Sequence, residues 1–457
     1  MRKTEIRRGT VGGLKFPNQG IVRTDEGVFV VKNTLPGQTI SFYVRKKRAG
    51  RNEGQLEEII SPSPEETETP CPHFRICGGC AYQSVPAETE NEWKRQMVSD
   101  LLASCVSEYP GMADRGYFEG IVPSPEAEGY RNKMEFSFGN MEKGGALTLG
   151  MHVSGRFHDV VTVEHCRIAD PDMITLLKAV LDYALSRSWS AFNRNTHEGF
   201  LRHLLIRKGQ RSGEILLDLV TTSGGGTLPE DFKDMLLSLK LEGQLSGILH
   251  TVNDALSDAI VNEETRLLYG RDYFTETILG KDFRITPFSF FQTNSAGAEV
   301  LYRKVREFAG EKKRRLIFDL YCGTGTIAQI MSDLAEKVVG VEVVEEAAEA
   351  AKENAERNGI DNIDFISADV AKVVSGLPER PELVVVDPPR EGMSPKALGG
   401  LLRLGAESII YVSCKPTSLV RDMKELFNAG YSLKRAAAVN LFPRTTGIET
   451  VALFAKE

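Results

Sequence analysis

The stretch RLIFDLYCGTGTIA, residues 315–328, decides the fold of this chain. Its apolar start predicts a buried strand that carries Asp319 near its end, and a helix is predicted directly after the glycines. Gly323 and Gly325 allow the backbone to turn sharply and approach a ligand, next to the unpaired amide groups of a helix N-terminus. The stretch therefore predicts a strand, a glycine loop and a helix around a bound ligand.

Buried strands and helical stretches alternate on both sides of this loop. After it come the strand-like runs KVVGVEV, FISAD, ELVVVD and SIIYVSC. This alternation predicts βαβ units and a parallel sheet covered on both faces, a Rossmann-like α/β domain over residues 284–457. Because ligands bind such sheets beyond the carboxyl ends of the strands, we expect the functional site at that edge.

The loop sequence favours a nucleoside cofactor without phosphates. GTGTIA lacks the third glycine of a dinucleotide site, which disfavours NAD and leaves S-adenosylmethionine as the obvious ligand. Glu342 ends the next strand, 23 residues after Asp319, and could accept hydrogen bonds from ribose hydroxyls. Asp369 follows the strand after that and is placed to meet the adenine edge. The alternative is that the glycines only shape a tight turn and Glu342 is a solvated strand end.

Two later strands are expected to deliver Asp387 and Cys414 to the same edge. Asp387 begins the rigid turn DPPR, in which Arg390 replaces the aromatic residue usual in adenine and cytosine amino-methyltransferases. A target other than an exocyclic amine is therefore favoured. Cys414 precedes Lys415 and a predicted helix N-terminus, both of which would favour a thiolate. The alternative is a small buried core cysteine.

A thiolate at this edge suits methylation at carbon 5 of uracil. That carbon is a poor nucleophile, but addition of a thiolate to carbon 6 turns the ring into an enolate that can take a methyl group at carbon 5. A base must then remove the carbon 5 proton. Since carbon 6 is unreachable within a stacked helix, the target uridine should lie in a loop or be flipped out.

The motifs DLYCGTGTI, FFQTN, DPPR, VSCKP and FPRTTGIETV together resemble the RNA uracil-5-methyltransferase family, specifically its ribosomal RNA branch. The resemblance covers nearly the whole chain, since residues 1–60 resemble the TRAM module of these enzymes. It implies that Cys414 is the nucleophile and Glu449 the base. It also implies that the cofactor and base site is lined by Gln292, Tyr321, Glu342, Asp369 and Asp387.

The chain departs from the family pattern at two places. Lys415 stands where Asn more often follows the cysteine, and Thr446 and Gly447 stand where His is often found. Neither departure removes a group that the mechanism needs. Both concern the geometry around the target base.

Four of the seven cysteines form a candidate metal site. Cys71, Cys77 and Cys80 lie in CPHFRICGGC, and Cys166 in EHCRI is the best remaining fourth ligand. Four thiolates suit either zinc or an iron–sulfur cluster, and spacing alone does not decide between them. The uneven spacing and the family resemblance favour a [4Fe-4S] cluster. The C-x3-C-x2-C motif of radical S-adenosylmethionine enzymes is absent from the sequence.

Residues 1–60 predict a small antiparallel β-barrel with a positive charge. Residues 1–52 contain 12 Lys and Arg but three Asp and Glu, a net charge of +9, whereas the whole chain carries −7. This asymmetry suits binding of an RNA backbone confined to one end of the protein. Candidate contacts there are Lys46, Lys47 and Arg48, and the alternative is a solvated hairpin tip.

Residues 71–280 predict a central α+β domain that carries the cysteines, with a helix over 88–106 and strands such as LRHLLIRK. Cationic side chains lie beside aromatic ones in GYRNKMEF and LRHLLIR, a pattern that suits single-stranded RNA. The candidates are Arg131, Lys133, Arg202 and His203. The alternative is a half-buried strand with a polar face.

The length of 457 residues predicts two to four domains, and 41% hydrophobic and 26% charged residues are typical of a soluble globular protein. No apolar run reaches the roughly 18 residues of a membrane span, and the N-terminal residues are polar. We expect a cytoplasmic monomer without a membrane partner that acts on 23S ribosomal RNA. Transfer RNA is the alternative substrate. An amino-methyltransferase that does not need Cys414 and a non-catalytic RNA-binding or redox-sensing protein are the rival functions.

Overall fold

The structure, a computed structural model, describes residues 5–48, 51–109, 116–257, 260, 263–373 and 380–456. Within these ranges the strands form a closed barrel, a seven-stranded sheet, a two-stranded sheet and an eight-stranded sheet. None of the helices in these ranges is long and apolar enough to span a membrane.

The N-terminal strands form the expected small barrel. They are β1 (Ile6–Lys15), β2 (Gln19–Thr24), β3 (Gly27–Lys32), β4 (Thr39–Arg48) and β5 (Arg51–Ser61). The sheet closes in the order β1-β2-β3-β5-β4, so that neither edge is left open. Alternate residues of β2 and β3, such as Val22, Phe29 and Val31, point into a small apolar core.

Two elements that follow the barrel pack on the C-terminal half of the chain. Helix α1 (Ala87–Val106) agrees with the predicted helix over 88–106, and Leu102 and Val106 bury its apolar side in the C-terminal core. Strand β6 (Phe118–Pro123) joins the C-terminal sheet as its edge strand.

The central part of the chain is an α+β sheet with helices on one face. Its elements are β7 (Lys133–Asn140), β8 (Leu147–Val153), β9 (Arg156–Thr162), α2 (Pro171–Ser186), β10 (Leu201–Lys208), β11 (Glu214–Thr221), a 3-10 turn (Ser223–Gly225), α3 (Glu230–Leu237), β12 (Gln244–Val252) and β13 (Glu264–Gly270). The strand order is β13-β12-β11-β10-β7-β8-β9. Apolar residues of the central strands pack against α2 and α3.

A hairpin and a helix lead into the C-terminal sheet. They are β14 (Phe274–Ile278), β15 (Lys281–Ile285) and α4 (Ser295–Ala309). Asn294 caps α4, since its side chain accepts a hydrogen bond from the Gly297 amide at 2.9 Å. The cap fixes the end of the FFQTN loop, residues 286–294, beside the sheet.

The C-terminal half contains the predicted Rossmann-like sheet. Its elements are β16 (Arg314–Leu320), α5 (Thr326–Met331), a 3-10 turn (Ser332–Leu334), β17 (Ala335–Glu342), α6 (Glu345–Arg357), β18 (Ile363–Ser367), α7 (Val370–Val373), β19 (Leu383–Val386), α8 (Pro395–Leu404), β20 (Ser408–Ser413), α9 (Pro416–Asn428), β21 (Tyr431–Asn440) and β22 (Glu449–Lys456). All four residues of β19, LVVV, are buried, as expected of a central parallel strand.

The order of this sheet is β18-β17-β16-β19-β20-β22-β21-β6. Strands β16 to β20 are parallel, and β22 runs antiparallel to β20. The order reverses between β16 and β19, which is where such sheets bind ligands. Because β6 pairs with β21, the predicted central segment 71–280 contributes a strand to the catalytic sheet. The predicted boundary at residues 280–284 does not separate two sheets cleanly.

Candidate active site

The glycine loop after β16 has the backbone expected of a ligand site. Tyr321, Gly323 and Gly325 all have positive φ angles, of 64°, 53° and 75°. A Cβ atom on Gly325 would lie 2.7 Å from the Phe365 ring, so the position requires glycine. A non-glycine residue such as Tyr321 rarely adopts this conformation, which is typical of functional loops.

The two acidic residues predicted for the nucleoside lie at this loop. Glu342 accepts hydrogen bonds from the amides of Gly323 and Val344, each at 3.0 Å, so it holds the loop to the end of β17. Burial, and next the Asp369 carboxylate, raise the pKa of Tyr321 to about 12. Tyr321 and Asp369 are therefore neighbours, and the loop and both strand ends face one site.

Three carboxyl groups, of Asp319, Asp387 and Glu449, lie at the ends of β16, β19 and β22. The Asp319 Oδ2 atom accepts a hydrogen bond from the Ala328 amide at 2.8 Å, whereas its buried Oδ1 atom has no partner. Burial raises the pKa of Asp319 well above its ordinary value, and that of Asp387 to about 7. Burial also raises the pKa of Glu449, and the Asp387 carboxylate adds to this effect. Since these groups are desolvated and repel one another, a bound cation would be favoured among them.

Cys414 and Glu449 are brought together by strand pairing. Ser413 on β20 lies opposite Thr450 on β22, so the next residue of β20 and the preceding residue of β22 are neighbours at the sheet edge. Burial, then the Glu449 and Asp387 carboxylates, raise the pKa of the Cys414 thiol to about 11. Arg390 opposes these effects.

The net pKa of Cys414 is raised in the protein alone, so any thiolate-favouring effect of Lys415 and the helix N-terminus stays a prediction. Lys415 is the N-cap of α9, and its amide donates to the Ser413 hydroxyl at 3.2 Å. Burial and two carboxylates outweigh the nearby positive groups. With a pKa of about 11, the thiol is mostly protonated at neutral pH in the protein alone.

The FFQTN loop reaches the glycine loop through Phe290. This ring is 69% exposed, and it is the nearest neighbour, at 3.9 Å, of a Cβ atom placed on Gly323. The side-chain amide of Asn132 donates to the Gln292 carbonyl oxygen at 2.8 Å, which fixes the backbone of the predicted cofactor residue. A direct role for the Gln292 side chain remains a prediction.

Tyr302 of α4 is a site neighbour that sequence reasoning missed. Its phenol is buried, and burial followed by the charges of Asp387, Asp319 and Glu449 raises its pKa well above its ordinary value. Tyr302 lies on the buried side of α4, beside Leu301 and Val305, so its sequence context resembles an ordinary core position. Nothing in the sequence indicated that the Asp319 Oδ1 atom would be buried without a hydrogen-bond partner.

Comparisons with known proteins agree with this geometry. Residues 256–457 match the family model for tRNA (uracil-5-)-methyltransferase. An uncharacterized RNA methyltransferase of Caldanaerobacter subterraneus subsp. tengcongensis is 43% identical over 456 residues, and the match covers 100% of both chains. Another, of Clostridium acetobutylicum, is 42% identical over 458 residues and covers 100% of this chain and 99% of its own. The chain belongs to the RNA uracil-5-methyltransferase family.

A solved member of this family has the same architecture. The tRNA (uracil-54, C5)-methyltransferase of Pyrococcus abyssi, in complex with S-adenosyl-L-homocysteine, is 25% identical and superposes with a TM-score of 0.75. The match covers 98% of this chain and 100% of that one. The present chain is therefore an S-adenosylmethionine-dependent RNA methyltransferase; its enzyme class is confirmed, and so is its predicted α/β fold with a small N-terminal β-barrel.

In this uracil-5-methyltransferase the four candidate cysteines line one cavity. Cys71, Cys77, Cys80 and Cys166 face it together with apolar side chains that include Met134 and Ile168. Burial raises the pKa of Cys77 to about 11 and that of Cys80 to about 12. Across the part of the chain that the structure describes, no three His, Cys, Asp or Glu side chains are grouped closely enough to hold a metal ion.

Two of the predicted RNA contacts are corrected by the structure. Arg202 and His203 are only 4% and 3% exposed. The Arg202 guanidinium donates to the carbonyl oxygens of Asn253 and Ala255, at 2.8 and 2.6 Å, and thereby holds the chain after β12. Packing against neighbouring segments covers these polar side chains, so both residues have structural roles.

The other predicted RNA contacts remain predictions for this methyltransferase. Arg131 donates to the Thr293 hydroxyl at 2.8 Å and lies over the Phe442 ring, whereas Lys133 keeps 28% of its side chain exposed. The barrel residues Lys46, Lys47 and Arg48 end β4, but their side chains lie outside the described part of the chain.

Proposed function

We propose that this enzyme methylates carbon 5 of a uridine in 23S ribosomal RNA, with Cys414 as the nucleophile and Glu449 as the base. The observation that carries the proposal is the juxtaposition of the two residues at the ends of β20 and β22, beside Asp387 and Arg390. An amino-methyltransferase would need neither a cysteine nor a second acid at this place. The pair therefore supports carbon methylation over the rival reaction.

The two residues act in sequence. The Cys414 thiol loses its proton to solvent and the thiolate adds to carbon 6, so that the electron pair of the 5,6 double bond becomes an enolate. The enolate takes the methyl group at carbon 5 as the bond between that methyl group and the donor sulfur breaks. Glu449 then removes the carbon 5 proton, the 5,6 double bond re-forms, and the bond from carbon 6 to sulfur breaks. Arg390, which lowers the pKa of both residues, favours the thiolate and the carboxylate that these steps require.

The site residues fit S-adenosylmethionine, which supplies an activated methyl group on a positively charged sulfur. Asp319, Asp387 and Glu449 are carboxyl groups whose charged form that cation would favour, and the unpartnered Asp319 Oδ1 atom can accept a hydrogen bond from the ligand. We propose that Glu342 binds the ribose and Asp369 the adenine edge. Gln292, Tyr321, Gly323 and Gly325 would shape the rest of the pocket.

We also propose that Cys71, Cys77, Cys80 and Cys166 hold a [4Fe-4S] cluster. The four cysteines line one apolar cavity, which brings four thiol groups to one place. Four thiolates suit zinc or an iron–sulfur cluster, and the uneven spacing of the cysteines together with the family resemblance favours the cluster. The cluster would cross-link the loop after the barrel to the central sheet.

The choice of RNA rests on the family branch. The cysteine set and the basic barrel, which we interpret as a TRAM module, support the ribosomal RNA branch, and we propose a cytoplasmic monomer. The transfer RNA alternative is supported by the description of the family model and by the substrate named for the Pyrococcus abyssi enzyme.

One experiment tests substrate and reaction together. Ribosomal and transfer RNA from cells that lack the enzyme would be incubated separately with the protein and labelled S-adenosylmethionine, and the products digested and mapped by mass spectrometry. We expect 5-methyluridine in 23S RNA. Label found only in transfer RNA would show that transfer RNA, not 23S RNA, is the substrate. Label on an adenine or cytosine amine would overturn the proposed reaction.

A further inference from the structure

The turn between β21 and β22, residues 441–448, ends directly before Glu449 and is clamped by a buried lysine of α1. The Lys94 ammonium donates to the carbonyl oxygens of Phe442, at 3.3 Å, and Gly447, at 2.9 Å. It also donates to the Asn440 side chain at 2.7 Å. One cation thus binds the last residue of β21 and both ends of the turn.

Glu90, one helical turn before Lys94, binds the middle of the same turn. Its carboxylate pairs with Lys94 at 2.9 Å, and both of its oxygens accept the single Arg444 backbone N–H in a bifurcated hydrogen bond, at 2.9 and 3.0 Å. Both side chains are 1% exposed. Because a buried ion pair costs desolvation that apolar residues would avoid, its presence is better explained by geometry than by stability.

Arg444 connects this clamp to the segment that follows Cys80. Its φ angle is 68°, an uncommon conformation for a residue with a side chain. Its carbonyl oxygen accepts hydrogen bonds from the amides of Ala81 and Tyr82, at 2.8 and 3.0 Å, and its guanidinium donates to the Val85 carbonyl at 2.7 Å. The turn is therefore held from two sides, by α1 and by residues 81–85, which follow Cys80.

We propose that Glu90 and Lys94 are positioning residues for Glu449, and that the segment after Cys80 acts on the same turn through Arg444. This inference rests on the proposed role of Glu449 as the base. Cys414 is attached to a different strand, so a loosened turn should misplace the base more than the nucleophile. The step that should suffer is proton removal and release of the RNA, not formation of the covalent complex.

Glu90→Gln is the first test variant, because it keeps an oxygen for the Arg444 amide and leaves Lys94 with three oxygen acceptors. The paired variant Glu90→Gln/Lys94→Met removes both charges together, so that neither is left buried alone. Arg95→Gln is the control, since Arg95 lies on the same helix but pairs with Glu92 at the surface. Melting temperatures and S-adenosylmethionine affinities would be measured for all three.

Single-turnover reactions with RNA from cells lacking the enzyme would follow the denaturant-resistant complex over time. We expect complex formation within twofold of wild type and its decay at least tenfold slower in Glu90→Gln, with faster hydrogen exchange of amides in 441–448. Arg95→Gln should match wild type. Equal slowing of formation and decay, unchanged decay, or unchanged exchange would each overturn the proposal.

A parallel reaction with Glu449→Gln separates this inference from the proposed function. If Glu449→Gln accumulates the complex and the Glu90 variant does not, the positioning role alone is wrong. If Glu449→Gln accumulates no complex, the assigned base is wrong, and the positioning role is overturned with it.

Discussion

The Cys414 thiol and the Glu449 carboxyl group lie beside one another at the ends of two antiparallel strands. The register of β20 and β22 sets this relationship, because Ser413 lies opposite Thr450. The proposed nucleophile and base therefore come from neighbouring strands, and both would reach one small region of a bound uracil. Substitution of each residue in turn can distinguish the reaction step that each one is proposed to perform.

Cys414→Ala should abolish both 5-methyluridine and any covalent complex with RNA, because the thiolate must add before the methyl group is transferred. Glu449→Gln should methylate once and stay attached, visible as a band of retarded mobility in a denaturing gel. Cys322→Ala is the matched control, since that buried cysteine belongs to the glycine loop. Product from Cys414→Ala, or loss of the complex only in Cys322→Ala, would contradict the mechanism.

Alkylation of Cys414 by iodoacetamide should be slow at neutral pH and accelerate with pH. With the pKa of the thiol raised to about 11, the thiolate fraction grows about tenfold for each pH unit between 7 and 9. Glu449→Gln removes a charge that raises this pKa, so it should increase the rate at pH 8. Peptide mapping by mass spectrometry measures the rates. An alkylation rate that does not change above pH 7 would show instead that the pKa of the Cys414 thiol lies below 7.

Glu342→Ala should weaken S-adenosylmethionine binding by about 1.5–3 kcal/mol, the scale of losing hydrogen bonds to a charged group. The variant loses the proposed ribose contact and also frees the Gly323 amide from its acceptor. Glu345→Ala is the control, because Glu345 is exposed at the start of α6. Calorimetry gives both affinities, and equal values for the two variants would place the ribose elsewhere.

Anaerobically purified protein should be brown and contain about four irons per chain. Replacement of Cys166 by serine should remove most of the iron and the visible absorbance, because one corner of the cluster loses its thiolate. Cys105→Ser should retain both, since Cys105 is buried on α1 near the Val420 carbonyl, away from the four-cysteine cavity. Stoichiometric zinc in colourless protein would disprove the cluster.

Much of the catalytic sheet was predictable because its strands are apolar on both faces. LVVV and SIIYVS favour buried strands, and because these two strands run parallel to each other, Asp387 and Cys414 lie at the same edge of the sheet. The burial of Glu449 did not follow from its own sequence context, which resembles a surface strand. It is 2% exposed because β22 lies between β20 and β21.

The roles of Arg202 and His203 could not be predicted from the pattern of LRHLLIRK. A polar residue on a strand faces either solvent or a neighbouring segment, and the local sequence is the same in both cases. Here the chain after β12 folds back so that its carbonyl groups bind Arg202. That long-range packing is decided by residues about 50 positions away in the sequence.

The pairing of β6 with β21 makes the two halves of the chain dependent on each other for folding. A fragment made of residues 256–457, the part that matches the family model, would lack β6 and leave the hydrogen-bonding edge of β21 unpaired. Unpaired strand edges recruit other chains and promote aggregation. The methyltransferase sheet is thus completed by β6, which precedes it in the chain. Truncation or domain exchange at residue 256 would therefore produce an aggregation-prone fragment and not an independently folding catalytic domain.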